Sequence, residues 1–93
     1  MRRMAERKVP GGKLLRVRVD FDEHIRALRI TGDFMVHPEE ALFEIERTLS
    51  GIPLPTGEGD LRERIQEVVD GRGARLVGFS PGDLASVISE ALE

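Results

Sequence analysis

From Lys13 onward apolar and polar residues alternate: Leu15, Val17, Val19 and Phe21 fall on one side, Arg16, Arg18 and Asp20 on the other. A period of two with one apolar face predicts a β-strand. Asp22-Glu23-His24 is a short polar connection, and Ile25 to Thr31 is the returning strand of a hairpin. In that second strand the alternation is less regular. Leu28 and Ile30 share a face with Arg26, while Ile25 and Ala27 take the other. Such a strand is either covered on both sides or carries a bulge.

After Gly32 to His37 the period lengthens to that of a helix. Pro38 suits a first helical turn, where no amide donor is needed, and Glu39 and Glu40 complement its positive end. Leu42, Ile45 and Leu49, with Ala41 beside them, form the inward stripe, and Gly51 is the stop. Ile52 to Gly59 is a Pro/Gly-rich loop, expected to be ordered at Leu54. Asp60 is placed to cap a second helix running to about Asp70, with Leu61, Ile65, Val68 and Val69 inward and Gly71-Arg72-Gly73 breaking it. Arg75 to Phe79 is a third strand or an extended connector. Ser80 caps a last helix from Pro81, with Leu84, Val87, Ile88, Ala91 and Leu92 on one side. The order ββα-α-(β)-α predicts an α+β domain, a small antiparallel sheet with helices on one face.

Ahead of the first strand, Val9-Pro10-Gly11-Gly12 is a turn-forming entry. Residues 1–8 show no apolar periodicity and are expected to be a flexible basic arm, leaving 9–93 as the single domain. Charge sharpens that division. Residues 1–18 hold seven basic groups against Glu6 alone, a balance of +6; with a net charge of −3, the remainder carries −9. A basic arm on an acidic body has affinity for nucleic acid, a nucleotide phosphate or an acidic protein face.

Composition narrows the chemistry. The chain has no cysteine, which excludes disulfides, thiolate zinc sites, cysteine nucleophiles and cysteine-ligated clusters, and is compatible with a cytoplasmic location. No apolar run reaches the roughly 20 residues of a membrane-spanning helix. His24 and His37, the two histidines, fall in a turn and before a helix, which is poor spacing for a metal site. Ser50, Ser80, Ser86 and Ser89 lack the context of an activated nucleophile. Glu39 and Glu40 sit on adjacent helical positions that do not face each other. Gly11-Gly12-Lys13 either turns the chain into the strand or lets the backbone and a point charge approach a phosphate or carboxylate. It is no P-loop, since the longer glycine spacing and the Ser/Thr after Lys are missing. Few aromatics are present for base stacking and the body repels phosphate, which weighs against nucleic acid.

One resemblance draws these features together. Gly12-Lys13, the alternating strand, the polar turn, the second strand, Thr31-Gly32-Asp33-Phe34 and a helix ending Leu49-Ser50-Gly51 resemble the accessory C-terminal domain of lipoate–protein ligases. Leu76 to Leu92 looks like that family's closing segment, and Pro38-Glu39-Glu40-Ala41 is similar to versions that occur as a separate small archaeal subunit. The resemblance spans about Val9 to Leu92. Met35 stands where the family usually has a second Phe, a change the adaptable Met side chain tolerates.

The resemblance implies a fold of the SufE/NifU kind, without the cysteines those relatives work through. It also implies a non-catalytic subunit that binds no cofactor alone. Its partner would be a catalytic ligase subunit that takes lipoate and ATP with Mg, forms lipoyl-AMP and lipoylates acceptors such as a glycine-cleavage H protein or E2 lipoyl domains. Gly11, Gly12 and Lys13 are then expected near the partner's ATP phosphates, and Gly32, Asp33, Phe34 and His37 at the interface. The alternative is a small nucleic-acid-binding or protein-interaction adaptor using the basic arm.

Overall fold

The alternating stretch after Lys13 is the central strand of a three-stranded antiparallel sheet in the computed structural model, which describes residues 1–93. Three strands, β1 (Arg2–Lys8), β2 (Leu14–Phe21) and β3 (Ile25–Gly32), lie in the order β1-β2-β3. The period-two reading of β2 holds: Leu15, Val17 and Val19 are buried, and they meet Ile30 and Leu28 of β3 on the same face. In β3 the bulge is the alternative realised. The register shifts opposite Asp20/Phe21, so Phe21 faces Ile25 while Asp20 faces Ala27. The shift turns Ile25 into the core alongside Leu28 and Ile30, and Arg26 out to Asp22 at 2.9 Å.

The expected flexible arm is corrected by the structure. Arg2–Lys8 is paired with β2 along its whole length, from Arg2 opposite Asp20 to Lys8 opposite Leu14. An edge strand at the rim of the core needs little apolar surface. Ala5 alone of these residues is buried, and Arg7 reaches over it to hydrogen-bond Ser86 at 2.8 Å. The other edge, β3, is closed off. The Ile30 N–H donates to the Glu46 carboxylate at 2.8 Å, and Ile25 exchanges backbone hydrogen bonds with Gly51 and Ile52. That second contact orders the start of the Pro/Gly-rich loop, and Leu54 N–H continues it by donating to Glu23 at 2.9 Å.

The helices α1 (Glu40–Leu49) and α3 (Pro81–Leu92) cover the apolar face of the sheet and α2 (Glu58–Arg72) packs against both helices, with β4 (Met35–His37) before α1 and β5 (Arg75–Val77) before α3. Helix α1 begins two residues later than Pro38, which closes the entry turn by accepting from Ala41 N–H. Helix α2 begins at Glu58 and runs through Gly71 and Arg72, so Asp60 is not its cap but a first-turn acid paired with Arg64 at 3.1 Å. Its end is Gly73, in the left-handed region at φ 59°, with the Ala74 N–H donating back to Val69 at 2.8 Å. Helix α3 opens with Ser80 as its cap, as expected, and Asp83 completes a capping box: Asp83 N–H donates to Ser80 Oγ and Ser80 N–H to the Asp83 carboxylate. Residues 75–77 do form a strand, but β5 pairs with β4 in a separate two-stranded sheet. The core between sheet and helices is apolar throughout, with Leu15, Ile25, Ile45, Leu49, Leu61, Ile65, Leu84 and Ile88 fully enclosed.

Candidate functional site

At one end of the sheet, three separate segments converge on Lys13. The β1–β2 connection turns on Gly11 and Gly12, at φ 101° and 83°, a region open to glycine at little cost. Both glycines are exposed, and the Gly12 N–H is committed to Val9 O at 2.9 Å, closing the turn. The Lys13 stem then lies along Gly78, where a Cβ would come within 3.0 Å of Lys13 Cγ and 3.3 Å of Phe34 Cβ. Gly78 therefore seats the lysine, leaving its ammonium in no ion pair of the chain.

The second segment, Gly32-Asp33-Phe34, locks onto the first. Asp33 exchanges two hydrogen bonds with Leu14: its carboxylate accepts from the Leu14 N–H, and its own N–H donates to Leu14 O at 3.2 Å. A Cβ on Gly32 would lie 2.1 Å from Leu14 O and 2.9 Å from the Phe34 ring, so the close approach requires glycine. Phe34 is half-buried and packs edge-on against Phe79, ring centroids 4.7 Å apart at 62°. The structure thus brings together Gly11, Gly12, Lys13, Gly32, Asp33 and Phe34, which the sequence placed in two stretches.

His37 stands apart from that cluster, at the end of β4 opposite Arg75. With Phe34, Met35, Val36, Glu39 and Leu42 it lines a groove of about 320 Å³ between β4 and the start of α1. Around the groove lie exposed apolar residues, of which the sequence reading noted Met35, in place of the family's second Phe, but neither Val77 nor Phe43. Met35 and Val77 are cross-strand partners, 58% and 44% exposed, and Phe43 is 54% exposed one helical turn beyond Glu39. Phe43 falls off the Ala41/Leu42/Ile45/Leu49 stripe, which is the signal that would have found it. Val77 and the exposure of Met35 are harder to see, because a three-residue strand has too few positions to show a period.

This end of the molecule offers an apolar groove, flanking exposed hydrophobes and one free ammonium. Such a combination suits capture of another surface together with an anionic group. No group of three or more His, Asp or Glu side chains comes together as a metal site, and no helix is long and apolar enough to cross a membrane. The one titrating group with a clear displacement is remote, in the β2–β3 turn. There the His24 backbone N–H, and next the Arg26 guanidinium, hold the Asp22 carboxyl below its usual 3.8.

No protein-family model and no curated protein matches the chain. A solved structure does. In the structural analysis of an archaeal lipoylation system, a bi-partite lipoate protein ligase and its E2 lipoyl domain from Thermoplasma acidophilum, one chain superposes with a TM-score of 0.78 at 25% identity. The match covers 95% of this chain and 94% of that one. The resemblance read from the Gly12-Lys13 and Gly32-Asp33-Phe34 stretches, to a lipoate–protein ligase accessory domain occurring as a separate small chain, holds over nearly the whole length, as does the α+β fold it implied.

Proposed function

We propose that this chain, with the fold of a component of a two-part lipoylation system, is the non-catalytic accessory subunit of a lipoate–protein ligase. It is required when the large subunit converts lipoate and ATP, with Mg, to lipoyl-AMP, before the lipoyl group passes to a lysine of an acceptor such as a glycine-cleavage H protein or an E2 lipoyl domain. The setting is cytoplasmic. The observation that carries this reading is the two-way coverage of the structural match: 95% of this chain corresponds to 94% of a chain from a bi-partite ligase system.

The groove lined by Phe34, Met35, Val36 and Leu42, with Phe43 and Val77 beside it, is the surface that docks the large subunit. Burying exposed apolar side chains contributes about 25 cal/mol per Å² removed from water, which supplies affinity without specific chemistry. Docking there carries Lys13 to the junction, since Lys13 and Phe34 both lie against Gly78, next to Val77. The lysine then offsets phosphate charge as pyrophosphate departs, an electrostatic contribution made where charge develops. Asp33 and Gly32 act indirectly, by holding Lys13 and Leu14 in place.

The test is lipoyl-AMP formation from lipoate and ATP by the same organism's catalytic ligase subunit, assayed with and without this chain. Adenylation that needs both chains is the expected result. A catalytic subunit that adenylates lipoate at full rate alone, and never binds this chain, would overturn the reading. The nucleic-acid alternative relied on a free basic arm, and those residues are strand β1.

A further inference from the structure

The outer face of the three-stranded sheet, opposite the helices, is dressed in rows set by the strand register. Glu6, Arg16 and Thr31 form one row, Met4, Arg18 and Arg29 the next, and Arg2, Asp20 and Ala27 the third. The first row neutralises itself, with Arg16 Nε 2.8 Å from the Glu6 carboxylate. The middle row does not. Arg18 and Arg29 are directly opposite one another on neighbouring strands, and like charges so placed weaken strand pairing. Neither forms an ion pair or side-chain hydrogen bond within the chain, nor does Arg2. All three line one open depression of about 450 Å³ with Asp20 and Ala27.

Three unpaired guanidiniums on a rigid sheet call for external anions, and the neighbouring residues indicate which kind. Guanidinium presents a planar fork that matches carboxylate or phosphate in bidentate fashion. The face carries no aromatic ring on which bases could stack, so single-stranded nucleic acid gains little here beyond charge. It does carry Met4, 52% exposed, beside Arg18, an adaptable apolar contact that a free inorganic anion leaves uncovered. Arginine flanked by exposed methionine is a composition favoured at protein interfaces.

We propose that this face docks an acidic segment of a partner protein, with carboxylates seated on Arg18, Arg29 and Arg2 and an apolar side chain of the segment covering Met4. It is formed by other residues than the groove between β4 and α1, and does not depend on the ligase reading. The accessory chain then has two working surfaces, one apolar and one cationic.

The experiment is a titration of the ¹⁵N-labelled full chain with an end-blocked peptide in which Asp-Glu pairs alternate with Leu, alongside inorganic phosphate and oligothymidylate. The peptide is expected to shift the amides of Met4, Arg18, Ala27 and Arg29 in a saturable, salt-sensitive manner. Binding should weaken about tenfold in Arg18→Gln/Arg29→Gln, and less in Arg18→Lys/Arg29→Lys, which keeps the charge but loses the fork. The Gln variant removes a like-charge contact and the Lys variant keeps it at exposed positions, so their spectra should otherwise remain those of the folded protein. The proposal fails if phosphate or oligothymidylate shifts the same amides at equal or lower concentration. It fails equally if the peptide shifts nothing there, or binds the Gln variant as tightly as the parent chain.

Discussion

Gly32 shows how one missing atom can organise a site. Without a Cβ the end of β3 closes onto Leu14 O, and Asp33 can then grip Leu14 by both its carboxylate and its amide. Gly32→Ala forces a contact of 2.1 Å with a backbone oxygen that has no room to rotate away. The expected loss, of the size of a strained backbone position, is about 1–3 kcal/mol, read as a lower midpoint in urea denaturation. An unchanged midpoint would mean that the strand end relaxes freely. A second residue answers to pH. The Asp22 carboxyl accepts from His24 N–H and lies 2.9 Å from Arg26 Nε, and its folded value is lowered from 3.8. A lowered carboxylate stabilises the fold above its unfolded value, and that contribution disappears as pH falls through the lower, folded one. In an NMR titration Asp22 should therefore titrate below 3.8. Arg26→Gln should bring it only part of the way back, since the larger cause is the backbone N–H.

At the scale of elements, legibility followed the contrast between the two faces. Strand β2 has an apolar row and a charged row and could be read directly, as could α3 with its Ser80 cap and apolar stripe. Strand β1 could not, because its inner positions include Arg3, Ala5 and Arg7, and only Ala5 is buried. Its strand character comes from the ladder to β2, a non-local partner that no window of its own residues encodes. Boundaries failed where a residue had a second use: Asp60 serves Arg64 rather than a cap, and Gly71 is absorbed within α2. Likewise the site was legible as two stretches but not as one place, since the Asp33–Leu14 hydrogen bonds and the packing of Gly78 and Phe79, from a third segment, are all non-local. The structural role of β1 predicts that deleting residues 1–8 destabilises the protein. Tm should fall by roughly 10 °C or more, the shift that about 2 kcal/mol produces in a domain this small. A genuinely loose arm would leave Tm where it was.

Across the whole molecule, the apolar groove and the unpaired arginines lie on different sides, with Met4 the exposed apolar contact among the arginines. Met35, Phe43 and Val77 surround the groove beside α1, whereas Arg2, Arg18 and Arg29 lie on the back of the sheet. In the proposed accessory role this separates adhesion from electrostatics, and the two can be dissected by mutation. Met35→Asp with Val77→Asp places two charges across from each other in the surface proposed to dock the large subunit. Each buried charge without a partner costs several kcal/mol, so association with the catalytic subunit should fall by two orders of magnitude or more, roughly, and lipoate adenylation with it. Lys13→Ala should behave differently. Its stem contributes little to the apolar surface, so the complex should still form with nearly the parent affinity, while the adenylation rate at saturating partner drops by about tenfold or more. Calorimetry for affinity and pyrophosphate release for rate separate these cases. If Lys13→Ala lowered affinity and left the saturated rate intact, the lysine would be an adhesive contact, and its electrostatic role in activation would have to be given up. Were the Asp pair to bind as tightly as the parent, the docking surface would have to lie elsewhere, and the arginine face would be the next to substitute.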